Sequence, residues 1–197
     1  MISFLINAAM AVLYFSFANS HLTLYFQTYD WVLLLPTAQE TLLCTLFLIR
    51  RQTVRVSPYV MDWVVGVAGS FLPLLVRANV ALSSFDVPGR ILQIIGFAVS
   101  LIALVSLNRS IGIVAADRGV KTGGLYRVVR HPMYLGYMLS LSGYWLLFPS
   151  TRNFVIVYMT IILLIARIEL EEYVLTKNPK YREYCEVVGW RIVPGIY

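Results

Sequence analysis

Gly123-Gly124-Leu125-Tyr126-Arg127-Val128-Val129-Arg130-His131-Pro132-Met133-Tyr134-Leu135-Gly136-Tyr137 begins polar and basic and ends apolar. It reads as a cytoplasmic loop passing into a membrane. It also holds one of the chain's two histidines, between an arginine and a proline and among tyrosines. A plain membrane anchor needs no such cluster, so the stretch reads as a ligand site built at the membrane surface.

Outward from it, composition sets the frame. The chain has 197 residues, 59% hydrophobic and 13% charged, with a mean hydropathy of +0.73. A soluble domain of this length would have more apolar surface than its core can hide. A bilayer removes the difficulty, and the expectation is an all-α, polytopic transmembrane bundle of five or six spans. A span needs about 20 apolar residues. Candidates are Ile2–Phe17 (running on towards Phe26), Trp31–Ile49, Tyr59–Val76, Pro88–Leu107, Met133–Phe148, and Asn153–Ala166 continuing as a helix through Leu175. No basic residue precedes the first apolar run, so it is expected to be retained as a span rather than cleaved. No repeat or low-complexity segment is visible. Residues 1–87 read as N-terminal spans and 88–197 as the functional core of one membrane domain.

Basic residues orient the bundle. Arg50, Arg51 and Arg55 lie between spans two and three, and Arg109, Arg118, Lys121, Arg127 and Arg130 between spans four and five. Lys177, Lys180, Arg182 and Arg191 lie in the tail, whereas the opposite loops hold Arg77, Arg90 and Arg152. The positive-inside rule puts both termini and the 108–132 loop in the cytoplasm. The net charge of +6 follows from this topology and from attraction to anionic lipid. The arginines are scattered among loops with no basic groove, so no nucleic-acid partner is expected. Cys44 and Cys185 lie too far apart for a CxxC pair, and no His/Cys/carboxylate set has ligand spacing; neither a disulfide nor a metal is expected.

Arg167-Ile168-Glu169-Leu170-Glu171-Glu172 closes the last span. Arg167 and Glu171 are four apart and share a helix face, with Glu172 on its flank. Alone, the group reads as a helix end sending its charges into headgroups. Spans five and six form a hairpin through Pro149-Ser150-Thr151-Arg152, so this group and the 123–137 stretch can share a pocket. The tail, with Tyr181, Tyr184, Trp190 and Val193-Pro194-Gly195-Ile196-Tyr197, reads either as a surface helix or as a lid over that pocket. His21 reads as an interface residue, and Asp62 as solvated or paired with Arg55. Glu40 belongs to a polar seam between helices or faces a substrate. Gly66, Gly69 and Ser70 predict close helix packing.

The pattern Gly124, Tyr126, Arg130, His131, Pro132, Tyr134, Gly136 resembles the signature of the isoprenylcysteine carboxyl methyltransferase and phospholipid methyltransferase superfamily. Arg167, Glu171, Glu172 and Leu175 resemble its next block, and Tyr181, Tyr184 and Pro194 its closing one. Leu107-Asn108-Arg109-Ser110-Ile111-Gly112 is similar to the segment before the loop in bacterial members. The tail turn departs from the family's Phe-Gly-containing one; Asn178-Pro179 is expected to make it instead.

The resemblance implies an integral membrane methyltransferase using S-adenosyl-L-methionine, with a lipophilic or lipidated acceptor arriving from the bilayer and no metal. It implies a cofactor site of Gly124, Leu125, Tyr126, Arg130, His131, Pro132, Tyr134, Glu172, Tyr181 and Tyr184. Arg130 and His131 suit the cofactor's carboxylate, and Tyr134, Leu135 or tail aromatics its adenine. A tyrosine face suits the sulfonium. Gly123 and Gly124 allow close backbone approach, and Pro132 suits the first turn of span five. Arg167 and Glu171 are the implied catalytic pair. Arg167 would hold an acceptor carboxylate; for an amine or thiol, Glu171 would take the proton. Small size points to a prokaryotic member in the inner membrane. An NADPH-dependent membrane reductase of the sterol-reductase type and a non-enzymatic scaffold are the alternatives. The acceptor and the oligomeric state are left open.

Overall fold

The computed structural model describes residues 2–50, 59–77, 84–114 and 119–197. Arg51, Arg55 and Arg118 of the basic loops lie outside the described residues. Among the described residues the regular structure is entirely helical.

Helix α1, Ile2–Thr28, contains no glycine or proline and outruns the expected first span. It stops at Tyr29, whose φ is 54°, and at Asp30, whose carboxylate accepts from the Val32 N–H at 3.1 Å. Helix α2, Leu34–Ile49, holds Pro36 in its first turn, where no N–H is needed. Helix α3, Val60–Phe71, is short and runs into a 3-10 turn, Leu72–Leu75, built on Pro73. Helix α4 is Asp86–Leu107 and is closed by Asn108 at φ 51°. Helix α5 is Pro132–Leu147, with Pro132 in the first turn as expected. Helix α6, Thr151–Leu175, is unbroken; Ser150 caps it, accepting from the Asn153 N–H at 3.1 Å. Helix α7 is Pro179–Val187 and is capped by Asn178, so Asn178-Pro179 does make the tail turn.

Trp31–Ile49, Asp86–Ser110 and Thr151–Leu175 are long and apolar enough to cross a membrane. Side chains such as Val12, Phe15, Val64, Ile102, Val105 and Ile162 are exposed on the outside of the bundle, which suits lipid rather than water. The chain is an integral membrane protein.

Packing explains the glycines. Helices α4 and α5 cross so closely that a Cβ on Gly96 would lie 2.3 Å from the Ser140 nitrogen, and one on Gly136 2.5 Å from the Ser100 nitrogen. Small residues let such backbones touch. Gly66 packs likewise against the Ile113 carbonyl, where a Cβ would lie 2.5 Å away. Helices α1 and α2 form a second close pair, with Tyr14 stacked on Phe47 at 5.5 Å.

The end of the bundle away from the 123–137 stretch is tied by polar bonds. Arg90 reaches Asp30 at 2.7 Å. Asn153 donates to the Arg77 carbonyl at 2.8 Å, and Arg152 donates to the Leu75 carbonyl at 3.2 Å. The three arginines of the poorer loops therefore share one end. One single-residue expectation needs correction. Asp62 is buried, not solvated, and Arg55, its suggested partner, is outside the described residues. His21 has a partner on α2: its Nδ1 lies 2.9 Å from Glu40 Oε2.

Candidate active site

The stretch from Gly123 onward folds as a 3-10 turn, Gly124–Arg127, followed by the start of α5. Gly124 has φ +59°, and a Cβ there would meet Ser106 Oγ at 2.7 Å. Both facts favour glycine at this close approach. The turn buries Tyr126, whose carbonyl accepts from the Tyr184 hydroxyl at 2.6 Å. The backbone N–H of Arg130 donates to the Trp190 carbonyl at 2.9 Å and that of His131 to the Arg191 carbonyl at 2.8 Å. The tail is thus a lid strapped onto the 130–131 backbone.

Glu172 is the knot beneath that strap. It accepts from Arg130 Nε at 2.7 Å and Nη2 at 3.1 Å, and from Arg191 Nε at 3.0 Å. His131 Nε2 lies 3.1 Å from it and the Tyr181 hydroxyl 3.4 Å. One carboxylate therefore joins α6, α7, the tail and the residues that lead into α5. Its neighbours supply enough positive charge to offset the cost of taking the carboxylate out of water.

One residue back along the helix the chemistry changes. Glu171 accepts from the Tyr134 hydroxyl and from Arg167 Nε at 3.3 Å. Arg167 also donates through Nη1 to Ser70 Oγ at 3.1 Å and through Nη2 to the Gly112 carbonyl at 2.6 Å. Three of its five N–H groups thus have partners among the described residues. Its guanidinium carbon lies 5.3 Å from the centre of the Tyr134 ring, within cation–π range.

Two openings meet here. A polar cleft lies under the lid, walled by Lys121, Tyr126, Arg130, Tyr134, Glu171 and Tyr184, among others. An apolar cavity of about 260 Å³ runs inside the bundle from Arg167 past Tyr14, Leu43 and Tyr137 to Glu40 and His21. Gly112 and Met133 line both, so the Arg167–Glu171 pair stands at the boundary, Arg167 facing the cavity and Glu171 the cleft.

Of the residues expected to bind cofactor, Tyr126, Arg130, His131, Tyr134, Tyr181 and Tyr184 line the cleft. Gly124, Leu125, Pro132 and Glu172 are not in its wall; they shape or brace it. The cleft also uses Ser110, Gly112 and Lys121, to which sequence reasoning gave no role. Gly112 ends the quoted 107–112 segment, and Lys121 lies two residues before the 123–137 stretch, so position was the available signal. Burial pushes the Tyr126, Tyr181 and Tyr184 hydroxyls well above the ordinary tyrosine value; they act as neutral hydrogen-bonding groups.

The fold is an all-helical membrane bundle in which a cleft with charged and tyrosine side chains meets an apolar cavity. The family model described as phospholipid methyltransferase matches residues 87–182, from the start of α4 into α7. Through this segment, a little under half of the chain, the protein resembles the phospholipid methyltransferases, which points to a membrane methyltransferase. No curated protein sequence matches the chain.

Proposed function

We propose that the protein uses S-adenosyl-L-methionine to methylate the carboxylate of a lipophilic acceptor. The reading is carried by one observation: Arg167 and Glu171, 3.3 Å apart, stand where the polar cleft and the apolar cavity meet. The donor set of the cleft fits the cofactor. Lys121 and Arg130 offer cations to a carboxylate. Glu171 offers an anion to an ammonium. Tyr126, Tyr181, Val120 and Leu175 offer the flat and apolar surface that adenine needs. When bound, S-adenosylmethionine supplies a sulfonium-borne methyl that an acceptor nucleophile takes by in-line displacement.

The chain's own residues then align and exclude. Arg167 faces the cavity as a buried cation, which favours an anionic oxygen over an amine at that point. Glu171, held by the Tyr134 hydroxyl and Arg167, orients the guanidinium. The tail strap keeps water from the junction, strengthening every charge interaction inside. Alignment at near-attack distance is the main requirement of such a transfer. By the positive-inside rule the cleft and both termini face the cytoplasm, and small size favours a prokaryotic inner membrane.

Calorimetry on protein in lipid nanodiscs tests this. S-adenosylmethionine and S-adenosylhomocysteine should bind with micromolar affinity, and Lys121→Ala and Glu171→Ala should weaken both at least tenfold. Binding of NADPH instead would overturn the reading in favour of a reductase, and no binding of any of the three by folded protein would leave a scaffold. A lipid amine methylated in place of a carboxylate would sink the role given to Arg167.

A further inference from the structure

The wall that α2 gives to the cavity is one helical stripe. Pro36, Glu40, Leu43 and Phe47 recur at three- and four-residue steps along α2 and line it, with Gln39 beside Glu40. Glu40 is the charged member of an otherwise apolar row. Its side chain is 12% exposed, and its partner His21, on α1, lines the same cavity. An ionisable side chain in the middle of an apolar span is costly, and where it borders a cavity it marks a binding path. A pair serving only to glue α1 to α2 would have no need to border open space.

Capacity remains at this point. His21 engages one carboxylate oxygen, while a carboxylate offers about four acceptor positions. Gln93, Ser140 and Tyr144 add polar atoms to the same cavity. Beside Glu40, the Gln39 amide oxygen accepts from the Ser100 hydroxyl.

The level of Glu40 relative to Arg167 follows from the helices. His21 and Glu40 each lie seven residues from the stacked pair Tyr14 and Phe47, about 10 Å along either axis. Phe47 is near the level of the 107–112 segment, because Arg109 Nε donates to the Ile49 carbonyl at 2.6 Å. Arg167 donates to Gly112 at the end of that segment. Tyr14 and Tyr137 are within electrostatic reach of both Arg167 and Glu40. One cavity therefore holds a cation at its junction with the cleft and an anion about two helical turns deeper, and Leu43, Phe97, Ile111 and Leu164 line the same cavity.

We propose that the cavity selects a bifunctional acceptor: a carboxylate at Arg167 and, roughly 10 Å away across an apolar spacer, a hydroxyl or amine that donates to Glu40 while His21 holds that carboxylate in place. This rests on the reading of the cavity as the acceptor's site and names the acceptor's class. A purely hydrocarbon tail would leave Glu40 facing apolar matter with its remaining lone pairs unmet, a desolvation penalty that a donor on the ligand removes.

The test is equilibrium binding of nonanoic, ω-hydroxynonanoic and ω-aminononanoic acids to the full chain in nanodiscs, without cofactor. Both ω-substituted acids should bind about tenfold more tightly than nonanoic acid. Glu40→Leu should erase both preferences. Glu40→Gln, which keeps an acceptor but loses the charge, should retain the hydroxyl preference and lose the amine preference; it carries the test if the leucine variant does not fold. Equal affinity for the three acids in the unaltered protein, failure of all three to bind, or preferences that persist in both variants would overturn the inference. S-adenosylmethionine binding, measured on the same samples, reports separately on the methyltransferase reading.

Discussion

Arg130 grips Glu172 with two parallel hydrogen bonds, Nε to Oε1 at 2.7 Å and Nη2 to Oε2 at 3.1 Å. The pair fastens the segment leading into α5 to the last turns of α6, and both side chains are about nine-tenths buried, 10% and 8% exposed. Removing one partner of such a pair strands the other's charge. Glu172→Ala should destabilise the protein by about 3–5 kcal/mol, read as a fall in melting temperature in nanodiscs. Arg130→Lys should cost less but still be felt, because an ammonium cannot reproduce the two-pronged grip. An unchanged melting temperature for Glu172→Ala would mean that the knot does not hold the lid.

Tyr134 donates to Glu171 while its ring lies beneath Arg167. Tyr134→Phe keeps the ring and removes the hydroxyl. The variant should fold and bind cofactor, yet turn over about tenfold to a hundredfold more slowly, as expected for one lost hydrogen bond to a charged group. The loss should fall on kcat more than on KM for the acceptor. Equal loss in both would place the tyrosine in binding rather than in positioning Glu171.

Much of this site was legible in the sequence because its parts are local. Gly124 to Gly136 and Arg167 to Glu172 are short blocks whose order and spacing survive folding, and the 149–152 hairpin forces them together. The division of labour between Glu171 and Glu172 was not legible. Adjacent glutamates on a helix point about 100° apart, and only the packed tail shows that Glu172 braces while Glu171 faces the cleft. The partnership of His21 with Glu40 was equally hidden. It depends on the register of α1 against α2, which apolar residues without a strong stripe leave undetermined. The end of α1 at Thr28 was missed because Tyr29, in a left-handed conformation, stops the helix without a glycine or proline to announce it.

The α4–α5 crossing makes a prediction about volume. A methyl group on Gly136 would press against the Ser100 nitrogen at 2.5 Å and the Gly96 oxygen at 2.6 Å. These are backbone atoms that cannot swing aside. Gly136→Ala should therefore part the helices and cost at least the 1–3 kcal/mol typical of overpacking, with loss of cofactor affinity, since Tyr134 is carried on the same turn. Gly123→Ala is the matched control. Nothing lies within 4 Å of a Cβ there, and its φ of −94° suits any residue. Its melting temperature should stay unchanged, and a similar loss in both variants would show that the seam is not what Gly136 serves.

Tyr184 gives the lid a pH limit. Its buried hydroxyl donates to the Tyr126 carbonyl at 2.6 Å, and burial raises its pKa above the ordinary 10.0. A raised folded-state pKa means that the neutral form is favoured by folding. The stabilisation is complete below pH 10, where the phenol is neutral in folded and unfolded chains alike, and is lost as pH climbs from 10 towards the folded value. Thermal stability, followed from pH 8 to 11, should fall above about pH 10. Tyr184→Phe, which cannot ionise, should be less stable than the unaltered protein at pH 8 by roughly 1 kcal/mol for the lost hydrogen bond. It should also show a shallower alkaline fall. Parallel curves for the two proteins would mean that Tyr184 is not the group whose ionisation releases α7 from the loop.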